Sequence, residues 1–485
     1  MLGPRTSSDS DPTDPSPHLH LGAPQPLSEI DEVGGHVRLF GSRPFFRLWL
    51  SQVVSAVGDW LGFLAIAVLA TRVGTHQGEA VAVVMAARLL PGFFLAPVAG
   101  VFADRWDRRR LMVACDVGRA AVVATLPFVE SLRGLVLASL LLELLTLMWA
   151  PAKEAVVPDL VPEARLTSAN SLSLAAAYGT FPLSSLLFTV LAAVSAWLAG
   201  MHGLDLLHLD RQGSLAFYVD VGTFLFAALL VARLPIPRRR PVEHQRTGAR
   251  GALNEVREGW RAVASDGRIR GVNLGLGLAL VGGGMLVPLG PVFSIQILHA
   301  GDAGFGMLLT ALGFGAGLGI LAVNALQTRL PRVEAFAGLV VGCGLSLVLA
   351  SSGSSVIWVT AWVAVLGACA GSTYVLGFTI LHETVDERLR GRTFSALFTL
   401  VRMCVLMAFV LGPVLCASLD RLSGRVGGHV GIGGVDMAVP GVRLTLWLAG
   451  TIIVAAGLLA SGSLRSALRR QSDHPSKRVL LLEPA

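Results

Sequence analysis

The chain is poor in charge. Asp, Glu, Lys and Arg make up 15% of its 485 residues, against roughly 25% in a soluble globular domain. That deficit excludes a protein whose whole surface faces water. Lysine is almost missing, with only Lys153 and Lys477, so the cationic excess is carried by arginine. The five cysteines (Cys115, Cys343, Cys369, Cys404 and Cys416) all fall in apolar segments without paired or metal-binding spacing. A disulfide framework is therefore not expected, and they read as small buried apolar residues. No phosphate-binding loop is visible. The run G-F-G-A-G-L-G at Gly313–Gly319 has no strand before it and no acidic residue at the right distance after it, so it does not read as a dinucleotide loop. Small residues at that spacing mark close helix packing instead. No nucleophile, base or metal cluster gathers at one depth. Neither an enzyme nor a cofactor or metal is expected, and without a nucleotide-binding loop drive by ATP is not expected either.

What the chain does have is apolar length. Hydrophobic residues make up 53% and the mean hydropathy is +0.66. A membrane-spanning helix needs about 20 apolar residues, and twelve such segments occur, at roughly 45–72, 80–103, 110–128, 133–154, 166–198, 214–233, 270–298, 304–328, 333–351, 356–382, 391–419 and 441–464. The fold class is all-α integral membrane: twelve transmembrane helices in two pseudo-symmetric six-helix bundles. Residues 38–233 form the first bundle and 269–464 the second, joined by a basic linker over 234–268. The tails are 1–37, rich in Pro, Ser and Asp and expected to be disordered, and 465–485. Within the linker, Asn254–Val263 reads as a short amphipathic helix on the membrane surface with Trp260 among the headgroups. The glycine-rich loop at about 420–440 is expected to be poorly ordered.

The net charge of +7 would suggest nucleic acid in a soluble protein, but its distribution reads as topology. Of the 39 Lys and Arg residues, 30 fall in the tails and the loops on the side of the termini, six fall in the opposite loops, and Arg88, Arg119 and Arg402 lie within spans. That bias places both termini in the cytoplasm of a cell membrane (inner or plasma). Nucleic acid is not an expected partner. A repeat supports two related halves: P-E-A-R-L-T-S-A-N-S-L (Pro162–Leu172) follows the fourth span and E-R-L-R-G-R-T-F-S-A-L (Glu387–Leu397) follows the tenth, 225 residues later.

Between the second and third spans lies G-V-F-A-D-R-W-D-R-R-R, Gly100 to Arg110. Gly100 permits close helix approach. Asp104 can accept from free N–H groups at the start of another helix, the eleventh span near Arg390–Arg392, where the helix dipole favours an anion. Arg105, Arg108, Arg109 and Arg110 can pair with Asp104, Asp107 or Asp116. The run resembles the G-x-x-x-D-R-x-G-R-[KR]-[KR] loop of the major facilitator superfamily, with Asp107 where the second glycine is usual. Together with F-F-R-L-W-L-S-Q-V-V-S-A-V-G-D-W (Phe45–Trp60) and W-A-P-A-K-E-A-V-V-P-D-L-V-P (Trp149–Pro162), it is similar to the branch of macrolide, multidrug and siderophore exporters. The arginine common in the fourth helix of drug/proton antiporters is missing, and the G-P-x-x-G of their fifth is reduced to Gly179 and Pro182. The resemblance implies alternating access, with spans 1, 4, 7 and 10 around a central cavity and the Gly100–Arg110 loop as a gating latch.

Charged residues inside spans are costly and are functional candidates. Asp59 and Arg88 match in depth, as do Arg119 and Glu143, so two ion pairs are expected: Asp59–Arg88 and Arg119–Glu143. Gln52, Ser55 and Asp59 form one polar stripe, and Ser139, Glu143 and Thr146 another; such stripes face protein or water. Asp59 or Glu143 is the candidate proton-coupling carboxylate. Arg402 and Tyr374 are further candidates for substrate contact, and Gly282–Gly284 with Pro288 is expected to bend the seventh span. The expected activity is export of a small amphipathic molecule (drug, natural product or siderophore) by a proton-coupled monomer. The alternatives are a lysophospholipid or glycolipid flippase of the same fold and a transport-inactive membrane sensor.

Overall fold

A computed structural model describes residues 40–74, 77–162, 165–198, 213–236, 267–326, 331–384, 387–425, 429–432 and 435–472. The N-terminal tail, most of the linker with its segment Asn254–Val263, and the end of the C-terminal tail lie outside the described residues.

Fourteen helices are described: α1 Arg43–Val73, α2 Gln77–Arg105, α3 Arg108–Thr125, α4 Leu132–Leu160, α5 Leu166–Gly179, α6 Phe181–Leu198, α7 Ser214–Ala232, α8 Gly267–Gly284, α9 Leu286–Gln296, α10 Gly301–Leu326, α11 Arg332–Ser352, α12 Val356–Thr384, α13 Glu387–Arg425 and α14 Gly441–Ser472. Two crossings are each built from two helices. Thr180 separates α5 from α6, with Pro182 in the first turn of α6, where its fixed φ and missing N–H cost nothing. Met285 separates α8 from α9 directly after Gly282–Gly284, at the expected bend. Among the described residues eleven segments are long and apolar enough to cross a membrane, and α2, at 29 residues, supplies the length for the twelfth.

Local chemistry sets the helix starts. Ser42 accepts from the Phe45 N–H at 3.1 Å and Pro44 sits in the first turn of α1. Ser131 accepts from the Gly134 N–H at the start of α4. Both are N-caps that satisfy otherwise orphaned donors. The helix α4 runs six residues past its expected end, through Pro158. Its extension is held by packing: Ala152, Val156, Val157 and Leu160 are buried against Phe45, Leu111 and Met112. The glycine-rich loop is also more ordered than expected. The helix α13 continues to Arg425, and an antiparallel hairpin follows, β1 His429–Ile432 with β2 Val435–Ala438, pairing Val430 with Met437.

The same packing recurs in the two bundles. The first crossing packs on the sixth (α1 on α7, α8 on α14), the third packs on the sixth (α3 on α7, α11 on α14), and the second packs on the fourth (α2 on α4, α10 on α12). Between bundles the main contacts are also a related pair, α6 with α10 and α2 with α13. They are reinforced on the face opposite the termini, where Arg72 at the end of α1 pairs with Asp302 at the start of α10 and Glu79 of α2 pairs with Arg421 of α13 at 2.9 Å. Outward-facing apolar side chains such as Ile357 and Trp197, 81% and 69% exposed, form a surface that suits lipid.

Candidate functional site

The interior charge of the first bundle is organised around Arg119. On α3, Met112, Cys115, Asp116, Arg119, Ala120 and Val123 fall at helical spacing on one buried face. Asp116 and Arg119 are thus one turn apart and both point inward. Arg119 is 1% exposed. Its Nη2 donates to Asp116 Oδ1, and its Nη1 donates to Asp59 Oδ2 of α1 at 3.1 Å. The guanidinium lies over the Phe224 ring at 4.3 Å and the Trp149 ring at 5.3 Å, so the cation keeps favourable partners on its faces as well as its edge.

A third carboxylate, Asp220 of α7, completes the cluster. It is fully buried, within electrostatic reach of Arg119 and Asp59, and accepts from Thr223 Oγ1 at 3.2 Å. Its carboxylate fits the groove left on α1 by Gly58 and Gly62; a Cβ at either glycine would collide with it. Three carboxylates therefore surround one guanidinium. Asp116 and Asp220 are sealed, whereas the Asp59 side chain is 32% exposed, so Asp59 is the member of the cluster that meets solvent.

This arrangement corrects the expected pairing. Asp59 is bonded to Arg119 and not to Arg88, and Arg119 takes Asp116 and Asp59 and not Glu143. Glu143 of α4 instead interacts electrostatically with Arg88 of α2, its Oε1 lying against Gly92 one turn along from Arg88. Matching depths could not reveal which helices meet. Helices α1 and α3 share α7 as packing partner while α2 packs on α4, so the charges sort by bundle geometry and not by adjacency in sequence. The rest of the stripe on α1 turns to α5: Gln52 Nε2 donates to the Ser173 carbonyl at 2.9 Å and Ser55 is buried. Asp220 escaped the sequence reading altogether. The signal that could have found it was its place within the expected span 214–233, where a charge is costly; the Gly58/Gly62 spacing on α1 makes room for it.

The second bundle encloses a different environment, a cavity of about 350 Å³. Helices α8, α9, α10 and α12 line most of it, and Phe181 of α6 is its contribution from the first bundle. Tyr374 is among its wall residues, as are Gly283 and Gly284 of the bend. None of its lining residues is charged.

The family model of the Major Facilitator Superfamily matches residues 48–400, well over half of the chain. The chain belongs to that superfamily. As a major facilitator transporter it is a multi-pass membrane protein that moves small-molecule substrates across a membrane. The uncharacterized MFS-type transporter YfiS of Bacillus subtilis (strain 168) is 24% identical over 406 residues, covering 77% of this chain and 88% of the relative. The multidrug efflux pump Tap of Mycobacterium tuberculosis (strain ATCC 25618 / H37Rv) is 24% identical over 395 residues, covering 80% and 88%. Among solved structures, an inward-facing, unoccupied bacterial homolog to the human lysosomal transporter Spinster matches with a TM-score of 0.60 at 16% identity, over 88% of this chain and 98% of that one. The nucleoside transporter NupG matches with a TM-score of 0.61 at 12% identity, over 87% and 99%. These structures share the major facilitator fold.

The superfamily loop has a local role in this transporter. Asp107, standing where the pattern has glycine, caps α3 by accepting from the Arg110 N–H at 2.9 Å. Its φ of −63° is open to any residue, so glycine is not needed. Arg108 donates to the Ala155 carbonyl at 2.9 Å and pairs with Asp159 at 3.5 Å, both on α4, and Arg109 donates to the Leu234 carbonyl just after α7 at 3.4 Å. Arg110 is exposed. The arginines were expected to pair with Asp104, Asp107 or Asp116. Asp116 instead belongs to the buried cluster, and Arg108 reaches Asp159. The side chains of Gly100, Asp104, Arg105, Arg390, Arg392 and Arg402, and with them the expected contact of Asp104 with the eleventh span, lie outside the described residues.

Proposed function

We propose that this transporter exports small amphipathic molecules from the cytoplasm in exchange for protons. The observation that carries the reading is the trio Asp59, Asp116 and Asp220 around Arg119, with Arg88 also within electrostatic reach of Asp220. Burying unbalanced charge is costly, so a cluster with a surplus of carboxylates is relieved by taking up a proton, and Asp59 gives it a route to solvent. Protonation of Asp59 would weaken its bond to Arg119 and so loosen α1 against α3, a local change of the kind that can bias a two-state rocking of the bundles. The efflux activity named for Tap supports export at the level of family resemblance.

The test is drug and siderophore accumulation in an efflux-deficient bacterium. Wild type is expected to lower accumulation of at least one labelled compound, and a protonophore is expected to cancel that effect. Asp59→Asn, whose partly exposed side chain leaves folding largely intact, is expected to raise accumulation to the level of cells without the protein at equal expression. Export that survives in Asp59→Asn would overturn the role of Asp59.

The orientation follows the charge bias, with the termini in the cytoplasm. In that orientation the pairs Arg72–Asp302 and Glu79–Arg421 link the two bundles on the external face. Charge reversal tests this. Arg72→Asp is expected to depress transport, since Asp302 is nearly buried and then faces a like charge. Arg72→Asp combined with Asp302→Arg is expected to recover it in the same accumulation assay. Equal failure of the single and double variants would count against an external latch.

A further inference from the structure

The cavity of the second bundle shares no residue with the carboxylate cluster, and its chemistry is the opposite. Its volume of about 350 Å³ falls within the roughly 300–1,000 Å³ typical of small-molecule sites. Its surface is almost wholly apolar, and its polar groups are few and placed together. Thr373 is buried, its Oγ1 lacks an oxygen or nitrogen partner, and its polar neighbour is the Cys343 thiol, a weak one. One residue on, the Tyr374 ring packs against Phe378 with centroids 4.5 Å apart, giving the wall a broad aromatic face. Opposite chemistry sits at the bend. A Cβ at Gly282 would strike Ile453 and one at Gly284 would meet Ala408, but a Cβ at Gly283 would meet nothing within 4 Å. Gly282 and Gly284 are therefore used for packing, while Gly283 opens onto free space in the cavity wall.

We infer that this cavity binds a neutral, apolar, ring-containing molecule and that it excludes cations. A permanent cation entering it would lose its hydration and find no carboxylate in the lining, a cost that the aromatic faces offset only in part. A neutral ring loses little on entry and gains contact with Tyr374, Phe378 and Phe181. Phe181 in turn rests edge-on against Trp60, centroids 4.9 Å apart, and Trp60 adjoins Asp59. The cavity wall and the helix that carries Asp59 thus meet at one aromatic contact within the first bundle. As an assignment of what is exported, this rests on the proton-exchange reading; as a binding site it does not.

The experiment is equilibrium binding to the purified full-length transporter in lipid nanodiscs. The probe is N-phenyl-1-naphthylamine, neutral and fluorescent in apolar surroundings, and the competitor is the permanent cation tetraphenylphosphonium. Saturable probe binding is expected, weakened at least about tenfold by Gly283→Leu, whose Cβ meets open space and whose longer side chain extends into the cavity. Gly283→Ala is expected to weaken binding by a smaller factor, which supplies the readout where the leucine variant folds poorly. Tetraphenylphosphonium is expected not to displace the probe. Unchanged binding in both Gly283 variants overturns the site, and displacement by the cation at matching concentration overturns the charge selectivity. Asp59→Asn is expected to bind the probe as wild type does. Export surviving in Asp59→Asn together with binding lost in Gly283→Leu would reject proton coupling through Asp59 and leave the cavity standing.

Discussion

Replacing Arg119 with methionine is expected to remove most of the folded transporter. The guanidinium is 1% exposed and holds Asp116, which is equally sealed, through one hydrogen bond and Asp59 through another. Breaking a buried ion pair by deleting one partner typically costs about 3–5 kcal/mol, because the other charge is left uncompensated. Total stability of a folded protein is only about 5–15 kcal/mol, and here two carboxylates lose their partner at once while Asp220 loses its nearby cation. The measure is the melting temperature and yield of a fluorescently tagged protein by size-exclusion chromatography. Adding Asp116→Leu to Arg119→Met removes the worst orphan and is expected to return part of that stability without returning transport. Arg119→Lys keeps the charge but not the fork that serves two carboxylates together, so it is expected to fold better than Arg119→Met and still fail in transport. An Arg119→Met protein that melts and transports like wild type would show that the cluster is not held by this residue.

Gly319→Leu is expected to be the second most damaging change, for a steric reason. Helices α10 and α12 meet along glycines from both sides. A Cβ at Gly315 would collide with the Ala364 carbonyl, at Gly319 with the Ala368 carbonyl, at Gly367 with the Leu312 carbonyl and at Gly371 with the Ala316 carbonyl. The obstacle in each case is backbone, which cannot turn aside as a side chain can, so a larger residue forces the helices apart. Overpacking a close-packed interior costs about 1–3 kcal/mol and occasionally more, and separation would also pull Ser372 Oγ from the Gly319 carbonyl it bonds at 3.0 Å. The same displacement moves Tyr374 and the cavity wall, so transport is expected to fall with stability. Gly317 lies on the same helix with nothing within 4 Å of its Cβ position, and Gly317→Leu is expected to be silent. Melting temperatures of the two leucine variants decide the matter; equal behaviour would contradict the tight crossing.

Several of these features could be read before any coordinates. The run Gly313–Gly319 was legible as a packing surface because small residues in an apolar helix have few other uses, and the structure adds which carbonyls they admit. The bend after Gly282–Gly284 was legible from the residues themselves. The break before Phe181, by contrast, falls within a segment read as one helix, and α4 continues through Pro158 past the end that was expected. In both cases neighbouring side chains decide whether a proline ends a helix or is carried along. Asp107 looked like a departure from the superfamily loop, but the backbone at that position needs a cap and not a glycine.

By itself the sequence determined that this chain lives in a bilayer, crosses it twelve times and repeats its plan once, because span length, scarcity of charge and the placing of arginine depend only on residues near one another along the chain. It also marked which charges are costly enough to need a reason: Asp59, Arg88, Arg119 and Glu143 are all buried or half-buried within helices. Only the tertiary structure decided their partners. A charge's depth can be counted along its own helix, but its direction around the helix axis and the identity of the facing helix come from packing, which brought Asp59 and Asp220 from two other helices to the Asp116–Arg119 pair of α3 and left the second bundle with an uncharged cavity.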